Sequence, residues 1–586
     1  MRSCLIDLRK NSLFLILFIF SILNMLFMHY QFYFTIGIDF YFSKTSVLDN
    51  FLAILLDVTF VFLVSFIISW GRVKTCLTIT FMVTLLLSYF NVIYSRFFGQ
   101  YLTLSAIEQV GSLTDNVVIK SVLSEIKLID IFYLISLLLY CFILFRNKKI
   151  SLTYRNLVIL RSVWAIVIVL ILICHSIYLI NGSYERAVQT LFPSLAEDSN
   201  HPNWENVYPN WATFHKGLLR KVVVDNLLEG SSHIQLNKEE KVIIEKECKN
   251  NKLRVTGKTA DGKIQNVIFI LAESYLSVLS DLWVDGQEIT PYLNALKRDS
   301  NVYYNGHVQP NAKIGKSSDG QLIYMTGLLP LRSEVTVSCA KNDSLVGLPN
   351  LLLKQGIVKY SQILVPTSPS IWEQSHMNKV YNIEMMYSKN DYTHSFGNDD
   401  LSDEEIFDFA KQLDAKMPSY SFSLLLSLSM HEPYDEYVEH GFLIKDKSLP
   451  NRYRNYLITS HYFDEQIGKY IEHLKTCGLY DRSLIIIASD HEPHLSNMDV
   501  EEIISCELPL YIINGGFDIN KVWSGSCNQL DIYTTILDIL GVNSDWHGLG
   551  HTLLNPNYTN SVDDKTWQLS EWIIKGDYFR NRDEDI

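Results

Sequence analysis

The chain has 586 residues and a formal net charge of −13, from 50 lysines and arginines against 63 aspartates and glutamates. A chain of this length is too long for one hydrophobic core and is expected to divide into domains of roughly 100–250 residues. The acidic balance argues against a nucleic-acid partner, because such a partner favours a basic protein surface.

Five apolar segments near the N-terminus are long enough to cross a bilayer, which takes roughly 20 residues in a helix. They cover residues 11–34, 51–70, 76–94, 129–145 and 157–180. The first is too long for a signal-peptide core and no small-residue cleavage site follows it, so we expect it to be retained. The pattern predicts a five-helix transmembrane domain over residues 1–180.

Basic residues near the spans predict which side of the membrane each loop faces. They cluster before the first span, between the second and third, and between the fourth and fifth: Arg2, Arg9, Lys10, Arg72, Lys74, Arg146, Lys148, Lys149, Arg155 and Arg161. These segments are therefore expected to be cytoplasmic, and everything after the fifth span extracytoplasmic.

The rest of the chain has a different pattern. Residues 181–263 are polar, contain several prolines and tryptophans, and are expected to form a connecting arm. From residue 264, short apolar runs alternate with helical patterns, which predicts an α/β domain with a mostly parallel sheet over residues 264–560. The predicted strands are 267–271, 361–365, 422–428, 484–488 and 508–513, and the clearest helices are 348–354, 451–475 and 530–540. Residues 561–586 are expected to be a C-terminal tail.

Polar residues that suit a metal ion follow the predicted strands directly. Glu273 follows the first strand, His431 the third, and Asp490 and His491 the fourth. In such sheets ligands gather at the carboxyl ends of the strands. Taken singly, Glu273 could cap a helix, Asp490 and His491 could form a turn, and His431 could be structural. Together they favour a site for a divalent cation, because carboxylates and imidazole are its usual ligands.

The stretch 311–330, NAKIGKSSDGQLIYMTGLLP, places two serines before a helix predicted over residues 321–328. Ser317 or Ser318 could be only an N-cap, but a hydroxyl there can also act as a nucleophile. A metal ion beside Ser317 would lower the pKa of its hydroxyl and polarise a phosphoryl oxygen. Lys316 and the backbone N–H groups at the helix start could stabilise phosphoryl charge, although a solvated loop position is the commoner role for any single lysine.

Several motifs together resemble the lipoteichoic acid synthase branch of the alkaline phosphatase and sulfatase superfamily, over nearly the whole chain. They are NVIFILAES, GKSSD, SLSMHEPY, GLYDRSLIIIASDH and NQLDIYTTILDILGV. The resemblance implies that Glu273, Ser317, Asp490 and His491 bind one divalent metal ion, Mn²⁺ being favoured over Zn²⁺ or Mg²⁺. It implies that Ser317 is the nucleophile and that His431 is a pocket histidine that moves protons. It also implies a protein of the bacterial cytoplasmic (inner) membrane with its catalytic domain outside.

The substrate pocket departs from the family pattern. Trp372 fits the family's pocket tryptophan, but Gln374 stands where members that transfer glycerol phosphate have a phosphate-binding arginine. A neutral amide cannot hold a phosphate bidentately, so the donor or acceptor is open. His494 follows the last metal motif and fits a second pocket imidazole or a supporting group. The expected substrate-binding residues are Lys316, Trp372, Gln374, His431 and His494.

The resemblance implies a membrane transferase that moves a phospholipid headgroup phosphate, with glycerol phosphate favoured. The expected donor is phosphatidylglycerol or phosphatidylethanolamine, and the headgroup would pass through a phosphoserine at Ser317 to a hydroxyl of an extracytoplasmic glycan, polymer or glycolipid. One alternative is a phosphoethanolamine transferase acting on lipid A or glycans. Another is a membrane-anchored phosphodiesterase or sulfatase-type hydrolase, although the sequence after Ser317 lacks the sulfatase maturation pattern. A non-catalytic scaffold is disfavoured by the four convergent ionisable groups.

The chain has nine cysteines, of which five follow the membrane spans, where a disulfide is permitted. Five is an odd number, so at least one must stay free or pair between chains. A bridge between Cys506 and Cys527 is one option that the sequence leaves open.

Overall fold

The computed structural model describes most of the chain. The described residues are 2–36, 44–70, 72–98, 101–102, 116–146, 213, 217–219, 234–250, 264–332, 334–392, 400–435, 441–493 and 505–580. The chain divides into two compact units, one of Met1–Leu104 with Val122–Gly230 and the other of Ser105–Ser121 with Ser231–Ile586.

The first unit is built from long apolar helices. They are α1 (Arg2–Ile36), α2 (Lys44–Ile68), α3 (Val73–Phe98) and α5 (Ile131–Arg146), with the short α4 (Asn116–Ser124) divided between the two units. Four stretches are long and apolar enough to cross a membrane: Leu13–Phe32, Asn50–Ile68, Val73–Arg96 and Leu128–Arg146. The first four predicted spans are therefore confirmed as helices of membrane-spanning length. The fifth, residues 157–180, lies outside the described residues.

Two buried carboxylates among these helices have polar partners, as is expected in an apolar surrounding. The guanidinium of Arg96 donates to both carboxylate oxygens of Asp130 at 2.7 Å. Asp57, on α2, accepts the backbone N–H groups of Leu218 at 2.8 Å and Leu219 at 3.1 Å. Part of the predicted connecting arm therefore packs within the first unit.

The second unit is organised around one eight-stranded sheet. Its strands, in spatial order, are β10 (Cys527–Asn528), β4 (Val302–Gln309), β9 (Leu508–Ile513), β8 (Ser483–Ser489), β1 (Asn266–Ala272), β7 (Ser421–Leu426), β5 (Tyr360–Leu364) and β6 (Met385–Tyr387). A separate hairpin pairs β2 (Trp283–Val284) with β3 (Gln287–Glu288). Within the eight-stranded sheet, β9 is the one described strand that runs antiparallel to its neighbours. The prediction of a mostly parallel α/β sheet is confirmed.

The central strands are buried along their whole length, which explains why they read as continuous apolar runs. The helices of this unit are α6 (Lys238–Asn250), α7 (Pro291–Leu296), α8 (Ser317–Thr326), α9 (Thr336–Ala340), α10 (Leu348–Lys354), α11 (Gln374–Val380), α12 (Asp403–Asp414), α13 (Asn451–Thr476), α14 (Leu530–Ile539) and α15 (Asp564–Lys575). The predicted C-terminal tail contains α15, whose Leu569, Ile573 and Ile574 are buried. Helix α15 thus contributes to the core of this unit.

Helix α8 begins at Ser317, four residues before the predicted start. The N–H groups of Ser318, Asp319 and Gly320 donate to Gly315 O or Lys316 O, so the SSDG segment is already helical. These groups are engaged within the chain, which counts against the expectation that they hold a phosphoryl oxygen.

Among the cysteines that the structure describes, five are free thiols: Cys76, Cys141, Cys339, Cys477 and Cys527. The bridge between Cys506 and Cys527 is therefore absent from the structure. Cys527 is buried in β10, where the side-chain amide of Asn305 donates to its sulfur at 3.5 Å, whereas Cys506 is exposed. Packing of Cys527 against β4 leaves it shielded from the exposed Cys506.

Candidate active site

Two neighbouring strands bring the acidic ligands together at one edge of the sheet. Ala272, the last residue of β1, lies opposite Ser489, the last residue of β8, so the residues that follow leave the sheet side by side. As a result Glu273, Asp490 and His491 each offer one ligand atom within 4.8 Å of the others. All three are buried, with 4%, 2% and 5% of their surface exposed.

The hydroxyl of Ser317 completes this cluster. Its Oγ donates to Glu273 Oε2 at 3.0 Å and lies 3.1 Å from His491 Nε2. The imidazole Nε2 lies 3.2 Å from Glu273 Oε1 and 3.7 Å from Asp490 Oδ2. Ser317 is half-buried, unlike the other three, so its hydroxyl is at the boundary between the cluster and solvent. The four residues predicted as metal ligands are therefore adjacent.

Hydrogen bonds from neighbouring groups orient each member of the cluster. The hydroxyl of Ser274 donates to Glu273 Oε1 at 3.0 Å. Asp490 Oδ1 accepts the backbone N–H groups of Ser274 and His491, both at 2.8 Å. His491 Nδ1 lies 2.8 Å from the backbone oxygen of Glu492, to which it can only donate. The lone pair of neutral His491 is therefore on Nε2, which faces the cluster.

The charges in this cluster perturb one another strongly. Burial and the neighbouring Glu273 raise the pKa of Asp490 well above its usual range. Burial alone would raise the pKa of Glu273, but the adjacent His491 outweighs it and lowers that pKa. For His491, burial opposes protonation, but Asp490 and Glu273 raise its pKa to about 9. These shifts favour a positive charge beside the Glu273 carboxylate.

This donor set fits a divalent cation. Two carboxylates, one imidazole nitrogen and one hydroxyl oxygen are the ligand types that Zn²⁺ and Mn²⁺ accept. Two buried carboxylates within ligand distance of each other are costly unless a positive charge lies between them. Glu273, Asp490, His491 and Ser317 are the residues that would hold the ion.

Tight packing holds helix α8, which begins with Ser317, against the backbone of Asp490 after strand β8. A Cβ atom on Gly320 would lie 2.3 Å from the backbone oxygen of Asp490, so only glycine fits there. Tyr324, one turn further along α8, donates its hydroxyl to Ser489 O at 2.6 Å. Gln529 Nε2 donates to Asp490 O at 2.7 Å, and its Oε1 accepts the backbone N–H of Ala312 at 3.2 Å. The sequence interpretation missed these three supports, although the glycine of GKSSDG was the available signal.

His431 and Lys316 flank the cluster. His431 Nδ1 donates to the backbone oxygen of Glu432 at 2.8 Å, which leaves its Nε2 able to accept a proton. The His431 ring is near enough to Glu273 to lower the pKa of that carboxyl, a smaller effect than that of His491. Lys316 has a left-handed backbone (φ 44°), and its Nζ lies 3.3 Å from Glu492 Oε1. Both side chains are half-buried beside the metal ligands.

Of the three remaining predicted pocket residues, the structure describes Trp372 and Gln374, which differ in their surroundings. Trp372 is half-buried in a one-turn helix before α11 and has φ 50°. Gln374, the first residue of α11, is buried, and its amide faces the amide of Gln321 on α8. His494 lies outside the described residues.

Comparison with known proteins agrees with the family resemblance of the sequence motifs. Residues 265–542 match the family model of the sulfatase domain, and residues 1–192 match that of the lipoteichoic acid synthase N-terminal domain. Lipoteichoic acid synthase of Staphylococcus saprophyticus is 25% identical over 587 residues, covering 94% of this chain and 86% of its own. The enzyme of that name from Staphylococcus aureus (strain USA300) is 25% identical over 615 residues, covering 97% and 90%.

Among solved structures, lipooligosaccharide phosphoethanolamine transferase A from Neisseria meningitidis, an integral membrane protein, superposes with a TM-score of 0.53. The sequence identity is 14%, and the match covers 91% of this chain and 96% of that chain. This likeness concerns the fold alone.

The sheet, its cluster of acids, histidine and serine, and the sulfatase match together define the alkaline phosphatase and sulfatase class of proteins. A lipoteichoic acid synthase N-terminal domain precedes that sulfatase domain in the same chain. The chain belongs to the lipoteichoic acid synthase-like family of membrane phosphotransferases. The family resemblance of the sequence motifs is confirmed.

Proposed function

We propose that the protein transfers the phosphorylated headgroup of a membrane phospholipid, by way of Ser317, to an extracytoplasmic hydroxyl. The observation that carries the proposal is the position of the Ser317 hydroxyl, 3.0 Å from Glu273 Oε2 and 3.1 Å from His491 Nε2. A hydroxyl that only capped a helix would not need three buried ionisable groups beside it. Relatives named lipoteichoic acid synthase favour glycerol phosphate as the group that is moved.

The bound cation would supply positive charge that lowers the pKa of the Ser317 hydroxyl, so that its proton passes to solvent, and that neutralises phosphoryl oxygens. The oxygen of Ser317 then forms a bond to the donor phosphorus, and the bond from phosphorus to diacylglycerol breaks. Protonated His431 gives its proton to the departing diacylglycerol oxygen. The headgroup remains on Ser317 as a phosphodiester.

The second half of the reaction restores the protein. Neutral His431 takes the proton of the acceptor hydroxyl, whose oxygen bonds to phosphorus as the bond to Ser317 breaks. Lys316, which lies beside the cluster, adds positive charge near the phosphoryl oxygens. The acceptor is a hydroxyl of a glycan, a growing polymer or a glycolipid, and the membrane helices keep the protein in the same bilayer as its lipid donor.

The test uses full-length protein in nanodiscs that contain phosphatidylglycerol or phosphatidylethanolamine, with Mn²⁺ and without acceptor. Intact-mass measurement should show one added glycerol phosphate with the first lipid. Ser317→Ala should abolish the adduct. Ser318→Ala is the matched control, because the hydroxyl of Ser318 is buried and donates to Gly315 O at 2.8 Å.

Three outcomes would count against parts of the proposal. An adduct that persists in Ser317→Ala would show that the nucleophile is wrong. An adduct only from phosphatidylethanolamine would replace glycerol phosphate with phosphoethanolamine as the transferred group. Lipid turnover that produces free headgroup phosphate at the same rate with and without an added acceptor would indicate a hydrolase.

A further inference from the structure

A pair of buried amides joins the nucleophile helix to the loop that carries Trp372. Gln374 Nε2 donates to Gln321 Oε1 at 2.7 Å, and Gln321 Nε2 donates back to Gln374 Oε1 at 3.3 Å. Their exposed fractions are 5% and 2%. Gln321 lies four residues after Ser317 on α8, so the two residues are on the same side of that helix. Each amide satisfies the other away from solvent.

The loop before Gln374 needs an external constraint. Trp372 and Glu373 both have left-handed backbone conformations, with φ 50° and 55°. Two consecutive non-glycine residues in this region are strained, and such strain persists only where the surroundings hold it. The carboxylate of Glu373 is held on one side, by Lys341 at 3.2 Å and His376 at 2.8 Å. Gln374 follows the two strained residues directly, and its hydrogen bonds to Gln321 hold the C-terminal end of the loop.

We propose that Gln374 is a positioning residue, which fixes the Trp372 loop against the nucleophile helix through Gln321 and does not itself contact the donor phosphate. Its side chain is 5% exposed and its amide is engaged by Gln321, so a lipid headgroup has little access to it. Because glutamine carries no charge, the phosphate charge is met by Lys316 and the metal site rather than at this position. This inference deepens the proposed function and rests on it.

If Gln374 only positions the loop, loss of the Gln321–Gln374 pair should weaken binding of the lipid donor. The weakening should be the same for both headgroups. Removing one amide leaves its buried partner unsatisfied, whereas replacing both by apolar groups of similar shape is close to neutral. A double-mutant cycle therefore separates pairing from direct binding. The variants are Gln321→Met, Gln374→Met and the two combined. The matched control is Gln362→Met, which removes another buried amide, one that donates to Ser423 Oγ at 3.0 Å on the central sheet.

The first readout is the kinetics of adduct formation by full-length protein with phosphatidylglycerol and with phosphatidylethanolamine. Each single variant should raise KM about tenfold, with kcat within about threefold of wild type. The rise should be equal for both lipids, and the double variant should return to within about threefold of the wild-type KM. Gln362→Met should leave KM unchanged.

A direct contact between Gln374 and phosphate would give a different pattern. The double variant would then be no better than Gln374→Met alone, or the two lipids would respond unequally, and either result would overturn the positioning role. A fall in kcat with unchanged KM in the single variants would show that the pair supports the fold but does not affect donor binding, which would also overturn the positioning role.

The second readout does not depend on catalysis. Hydrogen–deuterium exchange over residues 368–376 should be faster in each single variant and should slow again in the double variant. Equal exchange in all four proteins would overturn the inference. If wild-type protein formed no adduct, the proposed function would fail, and this exchange pattern would still decide whether the pair holds the loop.

Discussion

The contact between Gly320 and the backbone of Asp490 provides the sharpest test of how the site is built. In Gly320→Ala, the new Cβ would lie 2.3 Å from Asp490 O, 2.7 Å from its Cα and 2.8 Å from its carbonyl carbon. All three atoms belong to backbone that follows strand β8, so a side-chain rotation cannot relieve the clash. Helix α8 must therefore shift away from Asp490 by about 0.7–1 Å.

The shift of helix α8 is expected to change both the stability of the protein and its reaction rate, but by different amounts. Alanine gains about 1 kcal/mol of helix propensity over glycine, and overpacking costs about 1–3 kcal/mol, so the net loss of stability should be about 0–2 kcal/mol. The reacting oxygen of Ser317 moves with the helix, and a misplacement of about 1 Å costs roughly 100-fold in rate. Activity should therefore fall far more than stability.

Gly468→Ala is the matched control for Gly320→Ala. Gly468 is also within a helix, α13, and its new Cβ would lie 2.6 Å from Cδ2 of Tyr292. That neighbour is a side chain and can move, and it is not part of the metal site. This variant should show a similar change in stability and retain activity.

The assay is adduct formation by full-length protein at saturating Mn²⁺, with thermal unfolding and calorimetric Mn²⁺ binding measured on the same samples. Gly320→Ala should lose about 100-fold in rate and bind Mn²⁺ more weakly. If its rate and its Mn²⁺ affinity were both within about threefold of wild type, close contact between α8 and Asp490 would not be required, and the reasoning would be refuted.

Three further predictions concern the metal, a supporting carboxylate and the cysteines. Mn²⁺ affinity, measured by calorimetry, should rise with pH below pH 9, because the protons that the raised pKa values of His491 and Asp490 retain must leave before these groups can bind a cation; an affinity independent of pH would contradict this. Asp403→Ala removes the acceptor of the N–H groups of Leu428 at 2.7 Å and Ser429 at 3.1 Å, just before His431. Denaturant unfolding should show a loss of about 2–4 kcal/mol, and turnover should fall with Mn²⁺ affinity retained; wild-type turnover would show that this turn does not position His431. A reducing agent should leave the unfolding temperature unchanged, because Cys339, Cys477 and Cys527 are free thiols; a drop would reveal a disulfide.

The sequence by itself determined the elements that carry their own local signal. The central strands are buried on both faces and therefore appear as uninterrupted apolar runs; the predicted strand 508–513 has the same bounds as β9. The rule that ligands gather at the carboxyl ends of parallel strands was enough to select Glu273, Asp490 and His491. The resemblance of GKSSD to the family motif added Ser317 to that set.

Tertiary structure alone decided the contacts that join distant parts of the chain. The register of β1 against β8 sets Glu273 beside Asp490, and neither strand's sequence encodes that register. Gln374 reads as a pocket residue in sequence, but its partner is 53 residues away on α8. The polar composition after residue 560 predicted a tail, although its few apolar residues are enough to bury one face of α15. In each case the stabilising contact joins residues that are far apart in the sequence. A local pattern of residues therefore does not reveal it.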